Sequence, residues 1–188
     1  MSALEMTSRT FQTFTHEAML REPQLSLFQK VLLSTDGSVT ELLALYTGQR
    51  IRARKLEQHI GTDGAPPMLR CRPGTRLLHR RILLDNPQGA QVYAASIFVF
   101  DRLSSRARAR LIDSDVPIGV LWREEKSEMY REVIDLRMER NPAIAAYFDA
   151  PDDPRLLSRT YLLYQQGSPL GVITEKFPWT RFRYVLPD

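Results

Sequence analysis

Leu78-His79-Arg80-Arg81-Ile82-Leu83-Leu84 and Ile173-Thr174-Glu175-Lys176-Phe177-Pro178 are the two strings on which the reading of this chain turns. Each has the length and composition of a β-strand. Alternate side chains of a strand share a face, so Arg80 lies with Leu78, Ile82 and Leu84, and Glu175 lies with Ile173 and Phe177. Both charges then point at apolar company. Burying an arginine or a carboxylate is costly unless it is paired or bound to a ligand, so the economical inference is that the two faces meet over one pocket. Two readings fit that pattern: a ligand site, or an Arg80–Glu175 salt bridge joining two strands.

Working outward, Glu175 belongs to a hairpin of Leu156 to Gln165 and Pro169 to Phe177, turning at Gln166-Gly167-Ser168. Arg80 belongs to another, Arg76 to Leu84 and Gln91 to Phe100, around the turn residues Asp85-Asn86-Pro87-Gln88-Gly89. Arg50 to Gln58 and Met129 to Glu139 add two alternating strands. Helices are expected from Pro23 to Leu32, from Val39 (Ser38 and Glu41 as a capping box, Gly48 as the stop), from Ser104 to about Asp113, around Pro117, and over Ala143 to Phe148 after Asn141-Pro142. Six strands joined by hairpins or short helices give an α+β fold, a mostly antiparallel six-stranded sheet with helices packed on it. Residues 1 to 22 carry no firm pattern and read as a loosely packed arm on one domain spanning 1–188.

The bulk numbers narrow the function. With 188 residues, 43% hydrophobic and 26% charged, the chain is ordinary for a globular protein with one sizeable core. Met1 to Phe14 lacks the basic start and apolar run of a signal peptide, and no apolar run approaches a membrane span, so a cytoplasmic protein without membrane insertion is expected. Cys71 has no partner cysteine, and His16, His59 and His79 are too scattered for a local metal motif. The net charge is +4. Its densest basic run, Arg102, Arg106, Arg108 and Arg110, lacks interleaved aromatics and reads as a solvated helix face, so no nucleic acid is expected. A modest positive field suits a small dianion.

The order of motifs resembles the chorismate lyase family (chorismate pyruvate-lyase, 4-hydroxybenzoate synthase), especially its short bacterial members. The matching residues are Asp36-Gly37-Ser38-Val39-Thr40, Leu78 to Leu84, Ala94-Ala95-Ser96 leading to Asp101-Arg102-Leu103, Pro117-Ile118-Gly119, Arg159 with Tyr161, and Ile173 to Phe177. The resemblance implies a ligand enclosed between the sheet and two helix-bearing flaps. It also implies a cofactor-free lyase that eliminates pyruvate from chorismate to leave 4-hydroxybenzoate for quinone or related phenolic biosynthesis. It places substrate binding on Val39, Arg80, Ile118 and Glu175, with Arg80 and Glu175 catalytic. Val39 stands where some members carry methionine, Ile118 where leucine is common, and Ala95 where part of the family has a more polar residue. The resemblance equally brings to mind the effector domains of some transcription regulators, which would bind an aromatic acid unchanged.

The chemistry suits those residue types. Chorismate is a dianion, and the planar fork of Arg80 matches one carboxylate. Val39 and Ile118, each at an expected helix start, would add backbone N–H donors. Glu175 beside Ile173 and Phe177 would either transfer a proton or only bind the ring hydroxyl. Arg159 has two readings, a second cation in the pocket or a strand-surface arginine.

Overall fold

Hairpins build the sheet. In the computed structural model, which describes residues 12–114, 118–149 and 152–183, Gln166 and Gly167 have φ of 49° and 73°. Positive φ at both central residues is what a two-residue type I′ turn requires, and its twist matches that of the flanking strands. The strands it joins are the sixth and seventh of the chain. In order, the elements are β1 (Gln12–Thr13), α1 (His16–Arg21), α2 (Leu27–Ser34), α3 (Val39–Thr47), β2 (Arg52–Gly61), β3 (Leu77–Asn86), β4 (Gly89–Val99), α4 (Ser105–Asp113), α5 (Ile118–Glu124), β5 (Tyr130–Arg140), α6 (Pro142–Ala145), β6 (Arg155–Gln165) and β7 (Ser168–Pro178). They form one antiparallel sheet in the order β1-β5-β6-β7-β4-β3-β2.

The six long strands are those expected, with no end shifted by more than three residues. The additional strand, β1, pairs Thr13 with Arg137 of β5. Of the stretch 1 to 22, read as a loosely packed arm, the described part is placed on the sheet. Phe14 donates its N–H to the Leu136 carbonyl at 2.8 Å, Thr15 caps α1, and Met19 is wholly buried. A short strand pairing and two buried apolar side chains dock it, in a polar stretch too short for a periodicity signal.

One face of the sheet carries nearly all the helices, in two groups. Leu32 and Leu33 of α2 with Val39 and Leu43 of α3 pack on Ile82, Leu84, Val92, Ala94, Leu157 and Phe177. Ala107 and Leu111 of α4 with Leu121 and Trp122 of α5 pack on Leu78, Phe98, Tyr161, Leu163 and Ile173. The seam between the groups crosses the middle of β3, β4, β7 and β6. Gly171 fixes the floor under the second group: a Cβ there would fall 2.3 Å from the Phe98 ring, which instead meets Trp122 edge-on at 5.9 Å.

Local chemistry sets the helix starts. Ser26 and Gln29 form a reciprocal capping box on α2, and the Ser104 hydroxyl accepts from the Ala107 N–H. Ser38 caps α3 by accepting from the Glu41 N–H at 3.4 Å, and Gly48 ends it with φ of 64°. The other half of the expected capping box is replaced: the Glu41 carboxylate pairs with Arg123 of α5. Pro117, read as the first turn of a helix, lies outside the described residues; α5 is described from Ile118. Among the described residues no helix is long and apolar enough to cross a membrane.

Candidate functional site

Period-two alternation puts Leu78, Arg80, Ile82 and Leu84 on the buried face of β3, all under 9% exposed, while Arg81 on the other face is exposed. Ile173, Glu175 and Phe177 are buried in the same way on β7, and Val172, Thr174 and Lys176 are not. Cross-strand register turns these strings into rungs. One rung runs Arg80, Ser96, Ile173, Tyr161; the next runs Ile82, Ala94, Glu175, Arg159. Arg80 and Glu175 are therefore two strands apart and one rung out of line, with Ala94 and Ser96 between them. That interval is floored by small side chains, and the seam between the helix groups opens there into a cavity of about 60 Å³.

Val39, Arg80, Ile118 and Glu175, the four residues singled out from the sequence, all line this cavity. Val39 and Thr40 border it from the first turn of α3, whose N–H groups have no carbonyl within the helix to bond. Ile118, Gly119 and Trp122 border it from α5, and Arg131 of β5 reaches it from the far side. Ala95 points to the opposite face of the sheet, paired with Arg81 and Thr174, so its identity does not shape this lining.

The carboxylate of Glu175 is bound from behind. Arg159 Nε donates to Oε2 at 2.6 Å, and the Tyr161 hydroxyl donates to Oε1 at 3.2 Å. Arg159 is 1% exposed, so of the two readings left open for it the surface one is excluded. The ion pair of Glu175 is made to Arg159, its neighbour on the same rung. Burial pushes the Tyr161 phenol far above its usual range; the Glu175 charge adds to this, and Arg159 and Arg131 oppose it. Tyr161 is thus held as a donor.

Two arginines of the sheet also fix the approach to α3. Arg159 Nη1 donates to the Thr35 carbonyl at 2.8 Å, and Arg131 Nη1 donates to the Asp36 carbonyl. The Gly37 N–H turns back to Thr35 Oγ1 at 2.9 Å. Carbonyls of this turn are tied to the sheet, and the first turn of α3 is set at the cavity wall. The cavity therefore presents arginine and backbone donors around an apolar middle, with one carboxylate acceptor among the described residues that is already bonded on both oxygens. Among the described residues no group of three or more His, Cys, Asp or Glu side chains is placed to hold a metal.

The sequence matches the Rv2949c-like family, described as chorismate pyruvate-lyase Rv2949c-like, over residues 33–184. The chain belongs to this family. Chorismate pyruvate-lyase of Mycobacterium leprae (strain TN) is 28% identical over 155 residues, covering 79% of this chain and 72% of that protein. Chorismate pyruvate-lyase of Mycobacterium tuberculosis (strain CDC 1551 / Oshkosh) is 25% identical over 162 residues, covering 82% and 81%. Among solved structures, the effector domain of PhnF from Mycobacterium smegmatis superposes with a TM-score of 0.60 at 13% identity, covering 77% of this chain and 90% of that domain. Against the longer PhnF chain the match spans 65% of its length. At that identity the likeness to PhnF is one of fold. This chain and the effector domain thus share an antiparallel sheet with helices packed on it.

The basic run that sequence reading set aside is taken up locally. Arg110 pairs with Glu124 at 3.0 Å, Arg108 lies 4.0 Å from Asp101, and Arg102 donates to the Leu69 carbonyl at 2.9 Å.

Proposed function

We propose that this chain is a chorismate lyase that releases pyruvate from chorismate and leaves 4-hydroxybenzoate. The observation that carries the proposal is the placement of Arg80 and Glu175 on adjacent rungs of one buried sheet face, separated by Ala94 and Ser96, in a chain of the chorismate pyruvate-lyase family. Arg80 takes the ring carboxylate with its two-pronged guanidinium. Glu175 accepts a hydrogen bond from the ring hydroxyl at the opposite end of the ring, on lone pairs that Arg159 and Tyr161 leave open.

The reaction is redox-neutral. The bond between the ether oxygen and the ring breaks, the proton leaves the neighbouring hydroxyl-bearing carbon, and the electron pair of that C–H bond completes the aromatic ring. The enolpyruvate released gains a proton at its methylene carbon and becomes pyruvate, so atoms and charge balance with no further reactant. Aromatisation supplies much of the driving force, which leaves the protein chiefly to hold the ring dry and in one orientation. A carboxylate already bonded on both oxygens suits an orienting acceptor better than an acid that must shed and regain a proton.

Purified protein incubated with chorismate should form pyruvate and 4-hydroxybenzoate in equal amounts, well above the spontaneous rate. The fold likeness to the PhnF effector domain favours one rival, an aromatic-acid-binding domain without turnover. Calorimetric binding of both chorismate and 4-hydroxybenzoate with no product formed would decide for that rival.

A further inference from the structure

Chorismate carries two carboxylates, and the site as assigned so far meets one of them with a side-chain cation. Among the described residues Arg131 is the other arginine side chain of the cavity lining. It projects from β5 on the face that carries Tyr161, since Arg131 pairs with Leu163 and Val133 with Tyr161. Arg80 is on β3, at the opposite side of the cavity. The charge of Arg131 is felt at the Tyr161 hydroxyl, which itself donates to Glu175. One of its five donors goes to the Asp36 carbonyl.

Substrate chemistry fixes what such a position meets. In chorismate the enolpyruvyl ether sits on the ring carbon next to the one bearing the hydroxyl. With the hydroxyl on Glu175 and the ring carboxylate on Arg80, the ether and its carboxylate fall near Glu175 and Tyr161, to the side of the ring. We infer that Arg131 binds this second carboxylate, the one that leaves as pyruvate and that the aromatic product lacks. The inference rests on the lyase reading for the orientation of the ring. It makes Arg131 the residue that distinguishes substrate from product: once pyruvate departs, the aromatic acid left behind has nothing to offer this arginine, which favours its exchange for fresh substrate. Because Arg131 also holds the Asp36 carbonyl, occupation of this subsite is coupled to the turn that places α3.

A pair of unreactive probes tests this separately from catalysis. 4-Hydroxybenzoate has the ring carboxylate and hydroxyl; 3-(carboxymethoxy)-4-hydroxybenzoate adds an ether-linked carboxylate at the position of the enolpyruvyl group. By calorimetry, Arg131→Gln should weaken the dicarboxylate about ten- to a hundredfold, the range of a charge-assisted hydrogen bond, and leave 4-hydroxybenzoate within about twofold. Arg131→Lys, which keeps the charge, should recover part of the loss. Equal weakening of both probes would mean that Arg131 only straps the Asp36 turn, and unchanged dicarboxylate binding, or none by the wild-type protein, would equally overturn the subsite. Chorismate turnover by the wild-type protein is scored independently: selective loss without turnover retains the subsite and removes the lyase, and turnover without selective loss does the reverse.

Discussion

Arg159 and Glu175 face each other across β6 and β7, guanidinium to carboxylate at 2.6 Å, with both side chains less than a tenth exposed. A buried pair of this kind contributes little net stability against a hydrophobic replacement, yet removing one partner strands the other charge. Arg159→Met should therefore destabilise the fold by about 3–5 kcal/mol. The double variant with Glu175→Leu should recover much of that loss, since no charge is left unpaired. Urea unfolding of the two single variants and the double checks this. Additive losses would contradict it, and no member of the set should turn over chorismate.

How much of this pair was legible beforehand depends on register. Alternation with Ile173 and Phe177 sufficed to bury Glu175, just as Leu78, Ile82 and Leu84 sufficed to bury Arg80, because period two is written into the residues themselves. The partner of Glu175 was not legible. Counting back from the Gln166-Gly167 turn pairs Gln165 with Ser168 and would put Arg159 opposite Thr174. An irregularity between Leu163 and Tyr164 shifts the ladder by one, and Arg159 meets Glu175 instead. One signal was available: only the shifted register places Leu157, Arg159, Tyr161 and Leu163 on the same face as Ile173 and Phe177. The same limit applies to Arg131, whose approach to the cavity depends on strand order that no local pattern encodes. Docking of Phe14 and Met19 was invisible for a different reason: it rests on two side chains and a two-residue strand pairing, too little to leave a period in the sequence.

Arg80 should dominate affinity. Arg80→Ala removes the fork that takes the ring carboxylate, and kcat/KM for chorismate should fall about a hundredfold or more, with much of the loss in KM. Arg80→Lys should recover only part, because a point charge does not reproduce two parallel bonds. Steady-state kinetics on correctly folded variants, checked by circular dichroism, decide the matter; near-normal KM in Arg80→Ala would remove Arg80 from the site.

Alkaline pH should act on Tyr161. Its folded phenol is held above the ordinary value of about 10 by burial first and by the Glu175 charge second. In the unfolded chain the phenol ionises near that ordinary value, so the unfolded state binds fewer protons above it and stability falls as pH rises. The contribution of Tyr161 is complete below about pH 10 and is lost as pH climbs toward its folded value. Tyr161→Phe should lower stability by about 1 kcal/mol at pH 8 for the missing bond to Glu175. It should also flatten the decline between pH 9 and about pH 11. Thermal unfolding across that range measures both; identical slopes for the two proteins would exclude the phenol as the titrating group.

Gly171 should tolerate no side chain. The Cβ of Gly171→Ala would sit 2.3 Å from Phe98 Cδ1 and 2.9 Å from the Ile97 carbonyl oxygen, and the second of these is backbone. Phe98 cannot simply swing aside, since it packs on Trp122. A loss of about 1–3 kcal/mol is expected for Gly171→Ala. Phe98→Leu in the same chain should relieve part of it, as adjacent residues do when they share one steric conflict. Denaturant midpoints of the two single variants and the double test the coupling.

The ion pair between Glu41 of α3 and Arg123 of α5 joins the two helix groups whose seam is the cavity, and both side chains are about half exposed. Pairs so exposed are worth about 0–1 kcal/mol and weaken with salt. That is too little to decide folding, which rests on the burial of the whole core, but enough to matter for the opening of a seam that nothing covalent closes. If ligand leaves by separation of α3 from α5, Arg123→Ala should raise the dissociation rate of 4-hydroxybenzoate by up to about fivefold while shifting the unfolding midpoint hardly at all. High salt should speed release from the wild-type protein and have little further effect on the variant. Trp122, which lines the cavity and is 5% exposed, offers the fluorescence readout by stopped flow. A dissociation rate indifferent to both salt and Arg123 would place the exit elsewhere than between these two helices.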